Sequence, residues 1–391
     1  MTELLFWICF LLLAYTFAGY PVLLRMLNRV FEGDRNLPDS GEHRGDDPAI
    51  SIILIACDEE DRIERRLENL ASCRYEGERE VVLVCDGCTD ATAERARSAS
   101  LEIPVRLIER DERRGKASGL NAGAAAAGGE ILVFADARQR FDEEALERLV
   151  APIRLYGNVA AVSGSLEIEP SERGAAAGID AYWRLEKWIR REEARWDSVI
   201  GCTGAIYAMR KVDFEEIPED TLIDDVVIPM RALVKGRRIL FAPGAIAYDP
   251  QALETRHENR RKVRTLAGNY QMLFRYPRWL LPWANRCWWQ LLSHKYLRLA
   301  GPLLLVVCLV TSLLLAGGSR FFLLVVAGQA LCYGCALLGF LLPKVRLRLL
   351  TIPSGFLFLQ WQSARAFGYY LSHRKSGGKG AWSSESGGNA S

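Results

Sequence analysis

Three long apolar runs constrain what this chain can fold into, because each is long enough to cross a lipid bilayer as a helix. They cover residues 4–24, 299–317 and 321–342. A membrane-spanning helix needs roughly 20 mostly apolar residues. The mean hydropathy of +0.01 conceals these runs because a charged region, residues 25–298, is averaged with them. The sequence therefore predicts an integral, multi-pass membrane protein with one large polar region.

The first run has an alternative interpretation as a cleaved signal peptide. A secretory signal starts with basic residues and has a short apolar core. Here Glu3 precedes the run, and Arg25 and Arg29 follow it. These residues favour an uncleaved anchor, with the signal peptide as the alternative.

Positive charges at the ends of the runs predict which side of the membrane the polar region occupies. Lysine and arginine accumulate on the cytoplasmic side of membrane helices. One end of each run is flanked by basic residues, Arg25, Arg29, Arg35, Lys295, Arg298, Lys344, Arg346 and Arg348, and the single Arg320 at the other end of the third run is a minor exception. We therefore predict a cytoplasmic polar region, an inner (plasma) membrane location and an external turn at residues 317–320.

Composition limits the class of function. The formal net charge of +2 gives no indication of a nucleic-acid partner. The ten cysteines are scattered, without the paired spacing of a secreted disulfide framework, which favours a reducing compartment. Two CxxC pairs, at residues 85–88 and 332–335, lack the further ligands of a zinc site, so we predict no zinc at either.

The polar region alternates strand and helix patterns in the order of βαβ units. The predicted strands and helices cover residues 50–56, 62–72, 81–84, 91–100, 105–109, 117–127 and 131–135. Asp86 and Asp136 come at the ends of two strands, where an open parallel sheet binds ligands. Carboxylates there suit a ribose or a metal ion, and Lys116 at a helix start suits a phosphate.

Three segments of this region resemble the opening of a family 2 glycosyltransferase. They are residues 51–60 (SIILIACDEE), 85–90 (CDGCTD) and 115–123 (GKASGLNAG), and the resemblance extends to about residue 270. It implies an α/β fold of the GT-A type, the Rossmann-like fold of nucleotide-diphospho-sugar transferases, with flanking transmembrane helices. The membrane segments are arranged as in the polysaccharide synthases that it resembles. The resemblance implies inverting transfer from a UDP-sugar to a hydroxyl of a glycan or lipid-linked acceptor.

The resemblance also implies a donor site. Ala56 and Glu59 lie in the first segment, Asp86 stands where the family contacts the uridine, and Lys116 stands near the phosphates. Each motif is weak by itself, because Asp-Gly is a common turn and a lysine is usually solvated. The interpretation depends on their order along the chain.

A metal ligand is implied at Asp136-Ala137-Arg138, which stands where the family usually has Asp-x-Asp. Asp136 would bind a divalent cation, Mg²⁺ or Mn²⁺, that bridges the two phosphates. Arg138 is a departure from the family, and it leaves the site one carboxylate fewer.

A catalytic base is implied at residues 221–225 (TLIDD), which resemble the family's Thr-Glu-Asp element. Asp225 matches the catalytic position, where one base takes the proton of the acceptor hydroxyl. The alternative is an acidic helix start, since carboxylates there interact favourably with the helix dipole. Both can hold, with Asp224 at the cap and Asp225 as the base.

The acceptor side is predicted to include Trp183, Gly204, Asp224 and Arg261. Trp183 belongs to a predicted amphipathic helix, and its ring suits a sugar platform. Packing of this tryptophan on the core or on the membrane is the alternative.

Residues 261–265 (RKVRT) stand where processive members have Gln-x-x-Arg-Trp. Arg264 matches the arginine, whose planar fork suits a pyrophosphate. Arg261 replaces the glutamine and Thr265 replaces the tryptophan, which leaves processivity open. A basic helix on anionic lipid is the alternative interpretation.

The chain divides into five predicted parts. They are an anchor at 1–30, a cytoplasmic GT-A domain at 31–275, an interfacial amphipathic helix at 276–297, a membrane region at 298–372 and a disordered tail at 373–391. Polar residues interrupt residues 349–371, so we predict an interfacial or re-entrant segment there and two spans before it.

Two other functions stay open from the sequence. One is transfer of a single sugar to a lipid carrier. The other is a degenerate nucleotide-binding subunit of a polysaccharide export complex, whose other subunits would be partners. Asp136 and Asp225 argue against degeneracy, whereas Arg138 and Thr265 keep it open.

Overall fold

The structure, a computed structural model, describes residues 1–31, 47–168, 177–250, 255–342, 345 and 347–374. The side chains of residues 177–183 and 255–258 lie outside this description. Residues 32–46, at the start of the predicted GT-A domain, and nearly all of the predicted tail also lie outside it.

Within these residues, eight strands form one mixed sheet in the order β3-β2-β1-β4-β7-β6-β8-β5. They are β1 Ile50–Ala56, β2 Arg79–Asp86, β3 Val105–Arg110, β4 Ile131–Asp136, β5 Arg140–Phe141, β6 Val159–Ile168, β7 Ile206–Arg210 and β8 Arg238–Asp249. The first four pair in parallel. Strand β7 is antiparallel to both β4 and β6. The four predicted strands are confirmed, with small differences at their ends.

The helices connect and cover this sheet. They are α1 Thr2–Ala14, α2 Tyr20–Val30, α3 Ile63–Ser72, α4 Thr92–Ser98, α5 Lys116–Ala126, α6 Ala145–Leu155, α7 Ala177–Trp196, α8 Asp224–Val234, α9 Thr255–Arg275, α10 Trp288–Gln290, α11 Leu297–Ala316, α12 Arg320–Leu341 and α13 Arg348–His373. Strands β1 and β4 are buried almost throughout, because apolar helices cover both faces of the sheet. The predicted helices before β4 are confirmed as α3, α4 and α5.

Small residues allow α5 to lie directly on the sheet. A Cβ atom at Gly123 would lie 2.6 Å from Ile53 Cγ2. Gly115 caps the helix with a φ of 95°, a conformation that glycine adopts without strain. The close packing brings Lys116, the first residue of α5, to the carboxyl ends of β1 and β4.

Three of the described helical segments are long and apolar enough to cross a membrane. They are Thr2–Val30, Trp288–Ala316 and Arg320–Leu341. The first two contain a π-helical turn, Tyr15–Gly19 and Leu291–Tyr296 respectively. The predicted apolar runs are confirmed as helices.

The predicted interfacial helix at 276–297 requires correction. The structure has a short 3₁₀ turn, Pro277–Leu280, and then an irregular stretch up to Trp288, where the second apolar segment starts. Pro282 interrupts the pattern, and prolines disfavour a continuous helix. Within this stretch, Cys287 is fully buried against the sheet domain, whereas Trp283 is 82% exposed.

Helix α13 runs across the ends of the apolar helices that face the sheet domain. Leu350 meets Gly339 near the end of α12, and Gln360 meets Gly301 near the start of α11. Further along, Tyr370 stacks on Phe274 of α9 at 5.5 Å. Because α11 and α12 are antiparallel, the start of α11 and the end of α12 lie on the same side of the apolar helices. Both halves of α13 contact that side. Helix α13 is not among the described segments long and apolar enough to span a membrane, and an interfacial or re-entrant position for it stays a prediction.

Candidate active site

Asp86 ends β2 and is 2% exposed. Its carboxylate accepts hydrogen bonds from the Gly115 amide at 2.6 Å and the Arg114 amide at 3.1 Å. The Arg110 guanidinium adds an ion pair at 3.1 Å. Asp86 therefore fixes the loop that leads into α5, and its contact with a uridine stays a prediction.

Lys116 lies at the centre of the acidic residues. Its Nζ is 2.8 Å from Asp136 Oδ1 and 3.6 Å from Asp224 Oδ2. Burial alone would lower the pKa of Lys116, but the two carboxylates raise it above the ordinary value. The lysine stays charged and joins the end of β4 to the start of α8.

The side chain of Asp136 is 28% exposed, more than those of Lys116 and Asp224. Burial opposes its ionisation, yet the ammonium of Lys116 holds the pKa of Asp136 below the ordinary value. The carboxylate is therefore ionised and partly open to a ligand.

Asp225 lies in the first turn of α8, next to the buried Asp224. Burial, together with the charge of Asp224, raises the pKa of Asp225 to about 6. The charges of Lys116 and Lys295 act in the opposite direction. A carboxylate with such a pKa is ionised at neutral pH and is a better proton acceptor than an ordinary aspartate.

Residues 201–205, here named the acceptor turn, hold Asp225 from the other side. The Gly204 amide donates to Asp225 Oδ2 at 3.1 Å, and the Cys202 amide donates to the Asp225 carbonyl at 2.8 Å. A Cβ atom at Gly204 would lie 3.1 Å from the same carboxylate oxygen. The glycine thus leaves room for the carboxylate, and the turn fixes its orientation.

Arg138 is paired with an acid from another strand. It forms an ion pair with Asp249 at the end of β8, and both side chains are mostly buried. Gln139 donates to the same carboxylate at 3.3 Å. The residue that replaces the second acid is therefore neutralised by an acid from another strand.

The remaining predicted residues lie around this group. Ala56 is buried at the end of β1, while the carboxylate of Glu59 pairs with Arg62 at 2.8 Å. Burial raises the pKa of Glu59. Arg261 is exposed on α9, where its charge helps to lower the pKa of Asp136, so it lies near that carboxylate.

The last two predicted residues, Arg264 and Trp183, belong to helices α9 and α7. Arg264 is half-buried, one turn further along α9 from Arg261. The side chain of Trp183 lies outside the described residues. Trp188, on the same helix, packs against a buried cluster of Tyr20, Leu24 and Ile189.

Sequence reasoning missed three residues near the site. Asp249 and Arg190 carry no motif, and Lys295 was interpreted only as a charge at the end of a membrane helix. Lys295 is half-buried, and its charge acts on Asp225. The one signal in the sequence was the position of Lys295, a basic residue between a polar stretch and an apolar run.

A family model and several known proteins match this chain. The profile of Glycosyl transferase family 2 matches residues 51–217. The poly-beta-1,6-N-acetyl-D-glucosamine synthase of Staphylococcus aureus (strain MSSA476) is 26% identical over 233 residues, 58% of this chain and 56% of that protein. The probable glycosyltransferase YdaM of Bacillus subtilis (strain 168) is 22% identical over 256 residues, 62% of this chain and 60% of that protein. The chain thus spans less than two thirds of the length of these relatives.

A solved structure extends the similarity to most of the chain. It is the mannosyltransferase PcManGT of Pyrobaculum calidifontis in complex with GDP-Man and Mn²⁺, with a TM-score of 0.70 and 22% identity. The match covers 94% of this chain and 99% of that one. At this identity, the similarity shows a shared fold.

Proposed function

We propose, because this chain belongs to glycosyltransferase family 2 and has the GT-A fold, that it transfers a sugar from a UDP-sugar to an acceptor hydroxyl with inversion at the anomeric carbon. The acceptor is a growing cell-surface or extracellular glycan at the inner membrane. The S. aureus relative is named for a polysaccharide that it synthesises, which supports this choice of acceptor class.

The observation that supports this proposal most is the environment of Asp225. Its raised pKa of about 6 suits a base that works near neutral pH. The Gly204 amide fixes one carboxylate oxygen, and the other is available for the proton of an acceptor hydroxyl. A single base is sufficient for inversion, because attack occurs once, on the face opposite the leaving nucleotide.

The donor diphosphate is proposed to lie between α5 and α9. Lys116 from α5 and Arg261 and Arg264 from α9 would supply the positive charge, and the arginines can bind phosphate oxygens in a bidentate manner. The loop that Asp86 fixes would face the nucleobase and the ribose of the donor.

A divalent cation fits this site only with ligands from the donor. Among the described residues, no group of three or more histidines, cysteines and acids has metal-site geometry. Asp136 is partly exposed and ionised, so it can supply one protein ligand, while the diphosphate oxygens supply others. When bound, Mg²⁺ or Mn²⁺ would neutralise charge on the leaving diphosphate.

A second candidate function is single-sugar transfer to a lipid-linked acceptor. Lys295 supports it, because this residue belongs to the second apolar segment and still acts on Asp225. An acceptor carried in the membrane would thus meet the base at the membrane surface.

The two functions differ in the products that they give. The purified chain in lipid nanodiscs, incubated with UDP-N-acetylglucosamine, UDP-glucose, UDP-galactose or GDP-mannose and with glycan or lipid-phosphate acceptors, would give products that mass spectrometry separates. A ladder of glycan lengths from a UDP-sugar supports the first proposal, and one added sugar on a lipid supports the second. No product with any donor would contradict both and favour a degenerate nucleotide-binding subunit.

The proposal also requires the catalytic domain to face the cytosol, where UDP-sugars are made. In a variant without native cysteines, single cysteines at Glu3 and Ser319 should react with an impermeant maleimide from outside. A cysteine at Ser98, exposed on α4, should react only after permeabilisation. A cysteine at Ser372, at the end of α13, should behave like the one at Ser98. Labelling at Ser98 from outside would separate the site from its donor and contradict the proposal.

A further inference from the structure

The acceptor turn depends on an arginine that no motif marks. Arg190 of α7 donates to Thr203 Oγ1 and to Ser163 Oγ, each at 2.7 Å. Its guanidinium lies 4.9 Å from the ring centre of Phe241, a cation–π contact. The Thr203 amide donates to the same Ser163 hydroxyl at 2.9 Å. Arg190 thus connects the sheet to the turn next to Asp225.

Helix α7 is held on both sides of Arg190 by the apolar segments. Glu186 and Glu193 are one turn away on the same face of α7, since residues three or four apart share a face. His294 contacts both, at 2.9 Å from Glu186 Oε1 and 2.8 Å from Glu193 Oε1. We name five residues, Glu186, Glu193, His294, Tyr20 and Arg298, the membrane-end clamp.

The clamp reaches both of the first two apolar segments. Tyr20 donates to Glu193 Oε1 at 2.6 Å, and Arg298 pairs with Glu186 at 2.8 Å. His294 and Arg298 outweigh the burial of Glu186 and hold its pKa well below the ordinary value. Buried polar groups that are mutually bonded fix one geometry, because each lost partner leaves a costly unpaired group.

Both apolar segments depart from regular α-helix at this clamp. The π-helical turns Tyr15–Gly19 and Leu291–Tyr296 meet where Tyr15 bonds to Ser293 at 2.8 Å and Trp289 donates to Tyr15 at 2.7 Å. Such turns are rare and occur frequently at functional sites. Here the π turn sets His294 towards the two glutamates of α7.

We propose that Arg190 is a positioning residue for transfer: it holds the acceptor turn against Asp225, and the membrane-end clamp holds Arg190. The proposal rests on Asp225 as the base of the proposed function. Without Arg190, the acceptor turn loses the hydrogen bond to Thr203 that holds it in place. The hydrogen bond from the Gly204 amide to the Asp225 carboxylate then weakens. Since a hydrogen bond to a carboxylate favours its ionised form, Asp225 would then gain a proton at higher pH.

The first test compares three variants with wild-type enzyme in nanodiscs. Arg190→Gln should lower kcat by about 10-fold or more, as small displacements of reacting groups do, with an unchanged donor KM. The acid limb of its pH–kcat profile should move to higher pH. Arg190→Lys should recover part of the loss. Arg191→Gln, on the exposed face of the same helix, is the matched control and should match wild type.

Three further variants keep the test decisive if Arg190→Gln does not fold. Thr203→Val should repeat its kinetic effects, whereas Thr203→Ser, which keeps the hydroxyl, should not. Glu186→Gln in the membrane-end clamp should lower kcat with the same direction of pH shift. A wild-type kcat and pH profile in Arg190→Gln or Thr203→Val would overturn the link between Arg190 and the acceptor turn. The same result in Glu186→Gln would overturn the link between the membrane-end clamp and Arg190.

The outcome for Asp225 separates this inference from the proposed function. If Asp225→Asn keeps wild-type transfer, the base is assigned wrongly and the proposed function fails together with the inference. If Asp225→Asn is inactive but Arg190→Gln and Thr203→Val behave like Arg191→Gln, only the inference fails.

Discussion

Replacing Asp225 with asparagine should lower transfer by at least ~10²-fold, the typical loss when a general base is removed. The side chain keeps its size, and the Gly204 amide keeps a neighbouring acceptor oxygen, so binding of UDP should not change. Rates with saturating donor and calorimetric UDP binding would measure the two effects separately.

Asp224→Asn is the matched control, and its effect should be much smaller. Removing the charge of Asp224 takes away one of the causes that raise the pKa of Asp225. The acid limb of the pH–rate profile should therefore move to lower pH in this variant. In wild-type enzyme the limb should lie near pH 6, because protonated Asp225 cannot accept a proton. Equal, mild losses in both variants would contradict the assignment of the base.

Replacing Asp136 with alanine should abolish UDP binding that depends on Mg²⁺ or Mn²⁺. This carboxylate is the one that the site offers to a cation, because it is ionised and 28% exposed. Calorimetry with UDP, with Mn²⁺ or with EDTA, would measure the loss. Wild-type binding that EDTA leaves unchanged would contradict a metal role for Asp136.

Arg138 provides a second test of the same site. Arg138→Asp adds a carboxylate two residues from Asp136 and should retain or tighten UDP binding in Mn²⁺. Arg138→Gln breaks the same ion pair with Asp249 without adding a carboxylate, so it is the matched control. Tightening that occurs equally in both variants would show that the release of Asp249, not an added ligand, is responsible.

The sequence predicted the elements of this fold well because their signals are local. A buried parallel strand is a short apolar run, and a membrane helix is a long one, so both can be recognised from neighbouring residues alone. The strands β1 and β4 and the three apolar segments were predicted for this reason. Pro277 and Pro282 are equally local signals, so the break in the predicted interfacial helix could also have been recognised from the sequence.

The candidate site was predicted only in part, because its residues meet across long stretches of chain. The order of the motifs indicated Asp86, Lys116, Asp136 and Asp225, but not how they interact. Lys116 could be assigned to a phosphate, whereas the fold places it between Asp136 and Asp224. Asp86 could be assigned to a uridine, whereas the fold uses its carboxylate to hold the loop before α5.

The sequence by itself determined the class of molecule: an α/β domain with acids at the ends of parallel strands, next to apolar helices. The tertiary structure decided the electrostatics, because burial and pairing of charges depend on which strands and helices become neighbours. It gave Arg138 its partner on β8, brought Lys295 from the second apolar segment towards Asp225, and set Arg190 behind the acceptor turn. An ion pair between residues more than a hundred positions apart leaves no periodic pattern in either segment, so only the packed fold specifies it.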